Sequence, residues 1–268
     1  MTIFSQESVL FKVEFKPNKK YITQLKTYSY SEVDFIADQE ILDRIKAKGL
    51  ELPMITENET NMSTNLITQS KKVNGEFLAT IQYGQIISST TVNGETTIDE
   101  KPFSYMKILG KYDKENKFLI DTIIGDKLTQ ELRNILSSTL ESVQLKINFP
   151  EKPMIIGETF KSEIPMSIPM EGMNPILIKI NTEYLLNKIN GNIAIFDLKQ
   201  TISLDINQEQ INITANGSGN GNSEYNIKEN YLTKYTSDLP MDMTIKINDK
   251  MTAKVKMNTK SEQNVTIE

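Results

Sequence analysis

The chain has 268 residues and a formal net charge of −5, and it contains neither cysteine nor histidine. The absence of these two residue types excludes disulfides, thiol nucleophiles, Ser-His-Asp arrangements and zinc sites built on Cys and His. The acidic balance disfavours nucleic-acid binding, which needs a cationic surface. No apolar run approaches the roughly 20 residues that span a bilayer, and the length allows one large domain or two small ones.

Alternation of apolar and polar residues predicts antiparallel strands with one covered face and one solvated face. The pattern occurs in five places along the chain: Val9–Phe15, Phe77–Tyr83, Ile202–Ile206, Met241–Ile247 and Met251–Met257. Short polar turns at Asn74-Gly75 and Asn248-Asp249 predict hairpin connections.

Two segments predict helices. Asp38–Lys48 places Ile41, Leu42 and Ile45 on one side and is followed by Gly49, a good C-terminal stop. Lys127–Val143 has apolar residues at a 3.6-residue period. Two helices among many strands predict a mainly β fold of the α+β class.

The division of the chain is indicated by a proline-rich connector. Prolines stand at positions 150, 153, 165, 169 and 175, and proline suits connectors and sheet edges. We predict a single domain of two β-rich halves, 1–148 and 149–268, the alternative being two separate lobes split near 148–175. Lys72–Ala79 resembles Lys188–Ile195, so the halves could be repeats, or two Asn-Gly hairpins could look alike by chance.

Three short motifs have functional interpretations that their surroundings disfavour. Ser104-Tyr105-Met106-Lys107 matches the Ser-x-x-Lys pattern of penicillin-recognising enzymes, but a strand-like stretch puts Ser104 and Lys107 on opposite faces. Asp205–Glu209 has alternating oxygen ligands without the glycine of a calcium loop, which favours a hairpin turn. Gly217–Gly221 is not followed by the Lys-Ser/Thr of a phosphate loop, which favours a flexible strand or loop with little side-chain packing.

Methionines supply the candidate binding residues. Met166, Met170 and Met173 cluster in the connector, and Met241 and Met243 alternate in the last hairpin. Thioethers can bind Cu(I), but methionine more often fills a core or lines an adaptable apolar groove. We therefore predict these five residues as a ligand-binding set, with no catalytic residue, no metal ligand and no cofactor.

The stretch Asn148–Phe160 carries a resemblance to known proteins. It is similar to the Phe-Pro…Pro-Val…Gly-Asp-Ser-Trp signature of a family of uncharacterised exported lipoproteins from Gram-negative bacteria. Gly217–Tyr225 and Met241–Ile245 resemble that family's Gly-x-Gly strand and final Met-x-Met strand. The chain departs from the signature at Glu158, where aspartate is usual, and at Phe160, where tryptophan is usual.

The resemblance implies a location and an architecture. Such proteins are lipidated at an N-terminal cysteine and lie in the periplasm, at the outer membrane or at the cell surface. Their layout is similar to the curved antiparallel half-barrels of lipoprotein carriers, which shelter acyl chains in an apolar concavity. Residues 1–6 show no signal peptide, so we expect membrane attachment only through a lipid absent from this chain.

Three functions follow as hypotheses. The first is a non-catalytic binding module for an apolar or lipidic ligand or for a protein partner. The alternative is a structural or adhesive surface protein that uses its sheet edges. The least favoured is an enzyme that depends on carboxylates or lysine, because nothing in the sequence singles out a catalytic pair.

Overall fold

The computed structural model of the protein describes residues 8–126, 128–130, 149–168, 176–208 and 211–268. In these residues it contains one helix, α1 (Gln39–Ala47), and 13 strands that all belong to one antiparallel sheet. The N-terminal strands are β1 (Lys20–Ala37), β2 (Met54–Thr68), β3 (Phe77–Tyr83), β4 (Ile87–Val92), β5 (Glu95–Glu100), β6 (Lys107–Tyr112) and β7 (Phe118–Ile124). The C-terminal strands are β8 (Thr159–Ile168), β9 (Ile176–Asn190), β10 (Ile193–Gln208), β11 (Ile211–Asn226), β12 (Tyr231–Asn248) and β13 (Met251–Ile267).

The mainly β prediction is confirmed, and the sheet is curved and does not close on itself. The first predicted helix forms as α1, which ends at Ala47 and is followed closely by Gly49 with a positive φ of 80°. The second, predicted over Lys127–Val143, lies almost wholly outside the described residues. The described part of the chain therefore has one helix where the sequence predicts two.

The order of strands across the sheet is β7-β6-β3-β2-β1-β13-β12-β11-β10-β9-β8, with the β4–β5 hairpin beside β2. Strands β8 to β13 form a meander in chain order. Strand β1 joins the meander by pairing with β13, from Tyr21 opposite Ile267 to Ala37 opposite Met251. Strands on both sides of the proline-rich connector thus belong to one sheet. The two halves are organised differently, because β2 pairs with β3 at one end and with β4 at the other.

The register separates two faces. Cross-strand ion pairs cover the outer face, among them Lys256–Glu32 at 3.2 Å, Lys260–Asp238 at 3.3 Å and Lys161–Glu183 at 3.4 Å. Exposed pairs of this kind contribute at most about 1 kcal/mol each, so they keep the face soluble more than they stabilise it. The inner face holds the buried apolar residues, whose transfer from water is the main stabilising contribution.

The N-terminal segment, residues 8–19, does not form the strand predicted over Val9–Phe15. Its single strand-like contact is the bridge between Val9 and Met154. The segment runs along one end of the sheet instead, where the Glu14 N–H donates to the Asn230 carbonyl at 3.0 Å and Asn116 donates to the Val13 carbonyl at 3.3 Å. The alternation in this segment reflects which side chains face the sheet, and it carries no information on backbone pairing.

A stripe of glycines allows a sharp bend between β11 and β12. Gly217, Gly219 and Gly221 occupy inward positions of β11. A Cβ atom on Gly217 would lie 2.7 Å from the Pro240 carbonyl oxygen, and Cβ atoms on the other two would meet the backbone of Asp238 and Thr236 more closely still.

The strands on either side of β11 also lie closer together than in a flat sheet. Cα atoms of β10 and β12 come within 8 Å of each other, whereas strands separated by a third lie about 9.5 Å apart in a flat sheet. The run Gly217–Gly221, for which the sequence favours flexibility, is therefore an ordered strand that the backbone of β12 approaches closely.

We predict that Gly219→Ala destabilises the protein by about 1–3 kcal/mol, because the new methyl group would overlap the backbone of β12. Thermal unfolding followed by circular dichroism measures the loss. Ser218→Ala is the matched control, since Ser218 is the next residue and is exposed on the outer face. Equal melting temperatures for the two variants would contradict the role given to the glycine stripe.

Candidate ligand-binding face

The inner face is divided into three zones along the strands. The inward residues of β9 are, in chain order, Ile180, Thr182 and Tyr184. Their partners on the antiparallel strand β10 are Ile202, Gln200 and Leu198, respectively. An aliphatic zone at one end is thus separated from an aromatic zone at the other by polar side chains. Ile202 belongs to the alternation predicted from the sequence, and the two-residue period of a strand places the other residues on the same face.

The aliphatic zone is a cluster of buried residues on β9 to β13, packed against partly buried residues of β1, β10 and β13. Its buried members are Ile178, Ile180, Ile202, Ile213, Ala215, Leu239, Met241, Met243, Ile245, Ala253 and Val255. Met243 stands opposite Val255 on one side and Ala215 on the other. Because these residues have no polar side-chain atoms, the zone can interact with a ligand only through apolar contacts.

The five predicted binding methionines are only partly described. Met241 and Met243 are buried together in the aliphatic zone. Met166 lies on β8 in register with Ile178 of β9, and Met170 and Met173 lie outside the described residues. Met257 was not predicted, although it stands opposite Met241 and belongs to the alternating Met251–Met257 pattern that could have identified it.

The polar belt consists of Ser162, Thr182, Gln200 and Ser223, which are 4%, 1%, 2% and 0% exposed. The first three stand directly opposite one another on β8, β9 and β10. The Gln200 Nε2 donates to the Tyr235 hydroxyl at 3.2 Å and, at a long 3.5 Å, to the Thr182 Oγ1. The belt was not predicted from the sequence. The one signal in the sequence that could have identified it is the occurrence of polar residues at inward positions of otherwise apolar strands.

Several polar atoms of this region have no hydrogen-bond partner among the residues that the structure describes. They are the Gln200 Oε1, the Ser162 and Ser223 Oγ atoms and the hydroxyl of Tyr184, which borders the belt. Leaving a buried polar group unpaired costs about 1–3 kcal/mol. A belt of this kind is destabilising by itself, so its presence calls for an explanation in function.

On the N-terminal half, by contrast, the inner face carries a satisfied hydroxyl network. The Asn58 Nδ2 donates to the Ser88 Oγ at 2.9 Å and to the Thr90 Oγ1 at 2.7 Å. The Thr60 hydroxyl donates to the Asn58 Oδ1 at 3.1 Å. The unpaired polar atoms of the inner face are therefore concentrated on β8 to β11.

The aromatic zone closes one end of the inner face. Phe160 stacks on Tyr184 with ring centroids 4.6 Å apart, and Phe11 of the N-terminal segment packs edge-on against Phe196 and Tyr225. The Tyr225 hydroxyl donates to the Lys12 carbonyl at 2.6 Å. Aromatic rings in mutual contact have few rotamers available and pack rigidly. The N-terminal segment therefore covers this end of the inner face with rigidly packed rings.

Carboxylates with altered acidity lie away from the inner face. A hydrogen bond from Lys256 lowers the pKa of Glu32, and hydrogen bonds from Lys26 and Lys111 do the same for Glu59 and Glu76. Each is an ordinary solvent-facing ion pair. In the described residues no group of three or more acidic side chains is placed to hold a metal ion.

The motifs that the sequence disfavours as functional sites have structural roles. The Ser104 Oγ accepts a hydrogen bond from the Ile86 N–H at 2.9 Å and donates to the Ile86 carbonyl at 3.3 Å. Ser104 lies in a turn, and Lys107 is exposed at the start of β6. Asp205–Gln208, for which the sequence favours a hairpin turn, instead form the end of β10 and pair with β11, and Glu209 lies outside the described residues.

A polar groove of about 400 Å³ lies near the split of β2 between β3 and β4. Side chains of the outer face line most of it, including Gln24, Asn61 and Asn264. Because amide and charged side chains dominate this lining, the groove does not offer the apolar surroundings of the inner face.

No protein-family model matches the sequence, and a search of curated proteins finds no match. The resemblance of Asn148–Phe160 to exported lipoproteins therefore stays a prediction. In the described residues, no helix is long and apolar enough to cross a membrane.

Buried tyrosines predict a loss of stability at alkaline pH. Burial raises the pKa of Tyr112, Tyr184 and Tyr231 above the usual value near 10. Above pH 10 the unfolded state therefore holds fewer protons than the folded state, and the free energy of unfolding falls as pH rises. Circular dichroism and tyrosinate absorbance, recorded together from pH 8 to 12, should change in a single transition.

Tyr112→Phe provides the comparison for that experiment. It removes one buried hydroxyl while it keeps the ring stacked on Phe15 and Phe77. We expect this variant to lose less stability between pH 9 and 11 than the wild type. Tyrosine ionisation that is complete before unfolding begins would contradict the burial of these hydroxyls.

Proposed function

We propose that the inner face binds one elongated apolar ligand of the acyl-chain type and performs no chemistry on it. The observation that carries the proposal is the aliphatic zone of an open sheet. In the described part of the chain, neither a second sheet nor a helix packs over this zone, since the one contact of α1 with another element is with β1. The residues of the zone are at most 9% exposed, and a concave apolar surface with a few polar groups beside it is typical of a small-molecule site.

Methionine makes the zone suitable for such a ligand. Met241, Met243 and Met257 are neighbours on β12 and β13. Their unbranched, polarizable side chains rearrange at low cost and fit irregular apolar shapes. Side chains that pack against one another without a ligand can therefore move apart to admit a chain, as promiscuous binding surfaces do.

The distribution of charge supports the same function. Inward positions of β9 to β13 in the described residues hold no Asp, Glu, Lys or Arg, whereas outward positions hold acidic residues and lysines among uncharged polar residues. A ligand on this face loses its contact with water without meeting a fixed charge. This favours an apolar molecule over a charged metabolite.

The adhesive alternative receives less support from the sheet edge. Edge strand β8 contains Pro165, which has no N–H to donate, and the charged residues Lys161 and Glu163. Both features disfavour the addition of a strand from another chain. This edge of the sheet therefore disfavours the adhesive alternative.

Two measurements test the proposal. Native mass spectrometry of the full chain purified from a bacterial host should detect a co-purifying apolar molecule. After solvent extraction, the protein should enhance the fluorescence of the neutral probe N-phenyl-1-naphthylamine. The chain has no tryptophan, so the probe signal is free of tryptophan background.

Met243→Gln should weaken binding of this probe about tenfold, because it places an unpaired amide in the aliphatic zone. Asp242→Asn is the control, since it changes the neighbouring residue on the outer face. Circular dichroism checks that both variants are folded. Absence of both a co-purifying molecule and probe uptake by the wild type would overturn the proposal.

A further inference from the structure

We propose that the polar belt binds an uncharged hydroxyl or amide group of the ligand, so that the protein selects neutral lipids with such a head over charged or purely apolar chains. This inference rests on the proposed function and names the class of ligand. It follows from the polar atoms on β8 to β11 that are buried without a partner in the described residues.

The burial of these atoms is nearly complete. Gln200, Ser223 and Tyr184 are at most 2% exposed, and Ser162 is 4% exposed. The unpaired oxygen of Gln200 lies on the inner face next to the aliphatic zone, because Gln200 directly precedes Ile202 at inward positions of β10. The unpaired oxygens of Ser223 and Tyr184 lie on the aromatic side of the belt, where Ser223 stands opposite Phe196. A chain in the aliphatic zone would therefore bring its polar end to the belt.

The free hydrogen-bonding capacity includes both a donor and an acceptor. The Nε2 of Gln200 is engaged by Tyr235 and Thr182, which leaves its Oε1 as a free acceptor. The Tyr184 hydroxyl is a free donor, and burial raises the pKa of this hydroxyl, so it stays protonated at neutral pH. An alcohol or amide can satisfy both groups, whereas an ester or a carboxylate only accepts hydrogen bonds.

The absence of charge excludes an ionised head group from the same position. No inward position of β9 to β13 in the described residues holds a lysine or an arginine. An ionised carboxylate or phosphate buried there without a counter-ion would cost several kcal/mol. The belt is therefore selective for neutral polar groups.

The test compares four probes that each have a chain of twelve carbons: 1-dodecanol, dodecanamide, methyl laurate and laurate. Each displaces N-phenyl-1-naphthylamine from the extracted wild-type protein at pH 8. We expect 1-dodecanol and dodecanamide to bind about tenfold more tightly than methyl laurate and laurate, because only they satisfy both the donor and the acceptor.

Four variants test whether this preference resides in the belt. Tyr184→Phe and Gln200→Leu should each reduce the preference about three- to tenfold, since each removes one of the unpaired groups. Ser203→Ala changes an exposed residue of the same strand as Gln200 and should leave the preference unchanged. Ser223→Ala, a smaller change in the belt itself, repeats the test if a larger variant does not fold.

Thermal unfolding separates binding from a structural role. Because the removed hydroxyl has no partner among the residues that the structure describes, Tyr184→Phe should keep or raise the melting temperature of extracted protein. A lowered melting temperature in Tyr184→Phe and Ser223→Ala would show that these groups hold the fold, and it would overturn the inference.

The outcomes are distinguishable. A wild-type protein that binds none of the probes overturns the proposed function and this inference together. A protein that binds all four probes equally, or variants that keep the full preference, overturn the inference alone and leave the binding of apolar chains in place. If the inference alone is overturned, the belt does not bind the polar head of the ligand.

Discussion

The close backbone contact between β11 and β12 is the constraint on which the rest of the structure depends. Three inward glycines leave no side chain between the two strands, so β12 can bend over β11. This bend gives the single sheet a concave inner face. Without it, the aliphatic residues of β9 and β10 would not face those of β12 and β13, and the cluster that they form would be exposed.

The curvature produces an inner face whose two ends differ in how rigidly their side chains pack. Stacked rings such as Phe160 and Tyr184 fill the aromatic end, and the N-terminal segment fastens it through Phe11 and Lys12. The aliphatic end contains Met241 and Met243, whose side chains adapt easily. The polar belt lies between them and is destabilising unless something pairs with it. Adaptable apolar residues beside unpaired polar atoms are the combination expected for a ligand with a chain and a neutral polar head.

Much of the fold could be predicted from the sequence because a period of two residues reports directly on strands. Phe77–Tyr83 and the hairpin of β12 and β13 formed as predicted. The strand predicted from the same pattern at Val9–Phe15 does not form. Alternation indicates which side chains face a surface, but it does not indicate whether the backbone has a pairing partner. The pairing of β1 with β13 was also beyond local reasoning, since it joins residues at opposite ends of the chain. Of the candidate site, Met241 and Met243 were found as inward apolar residues, whereas Gln200 and Ser223 were not, because burial of a polar residue depends on curvature that no local pattern encodes.

A crystal structure of the protein purified without solvent extraction tests the central claim most directly. The account predicts that β12 bends over the glycines of β11 and that elongated electron density runs from Met243 to the Gln200 side chain, with a hydrogen bond to the Gln200 Oε1. A flat sheet at Gly219, or an inner face filled by the protein's own side chains with every polar atom of the belt paired internally, would contradict it.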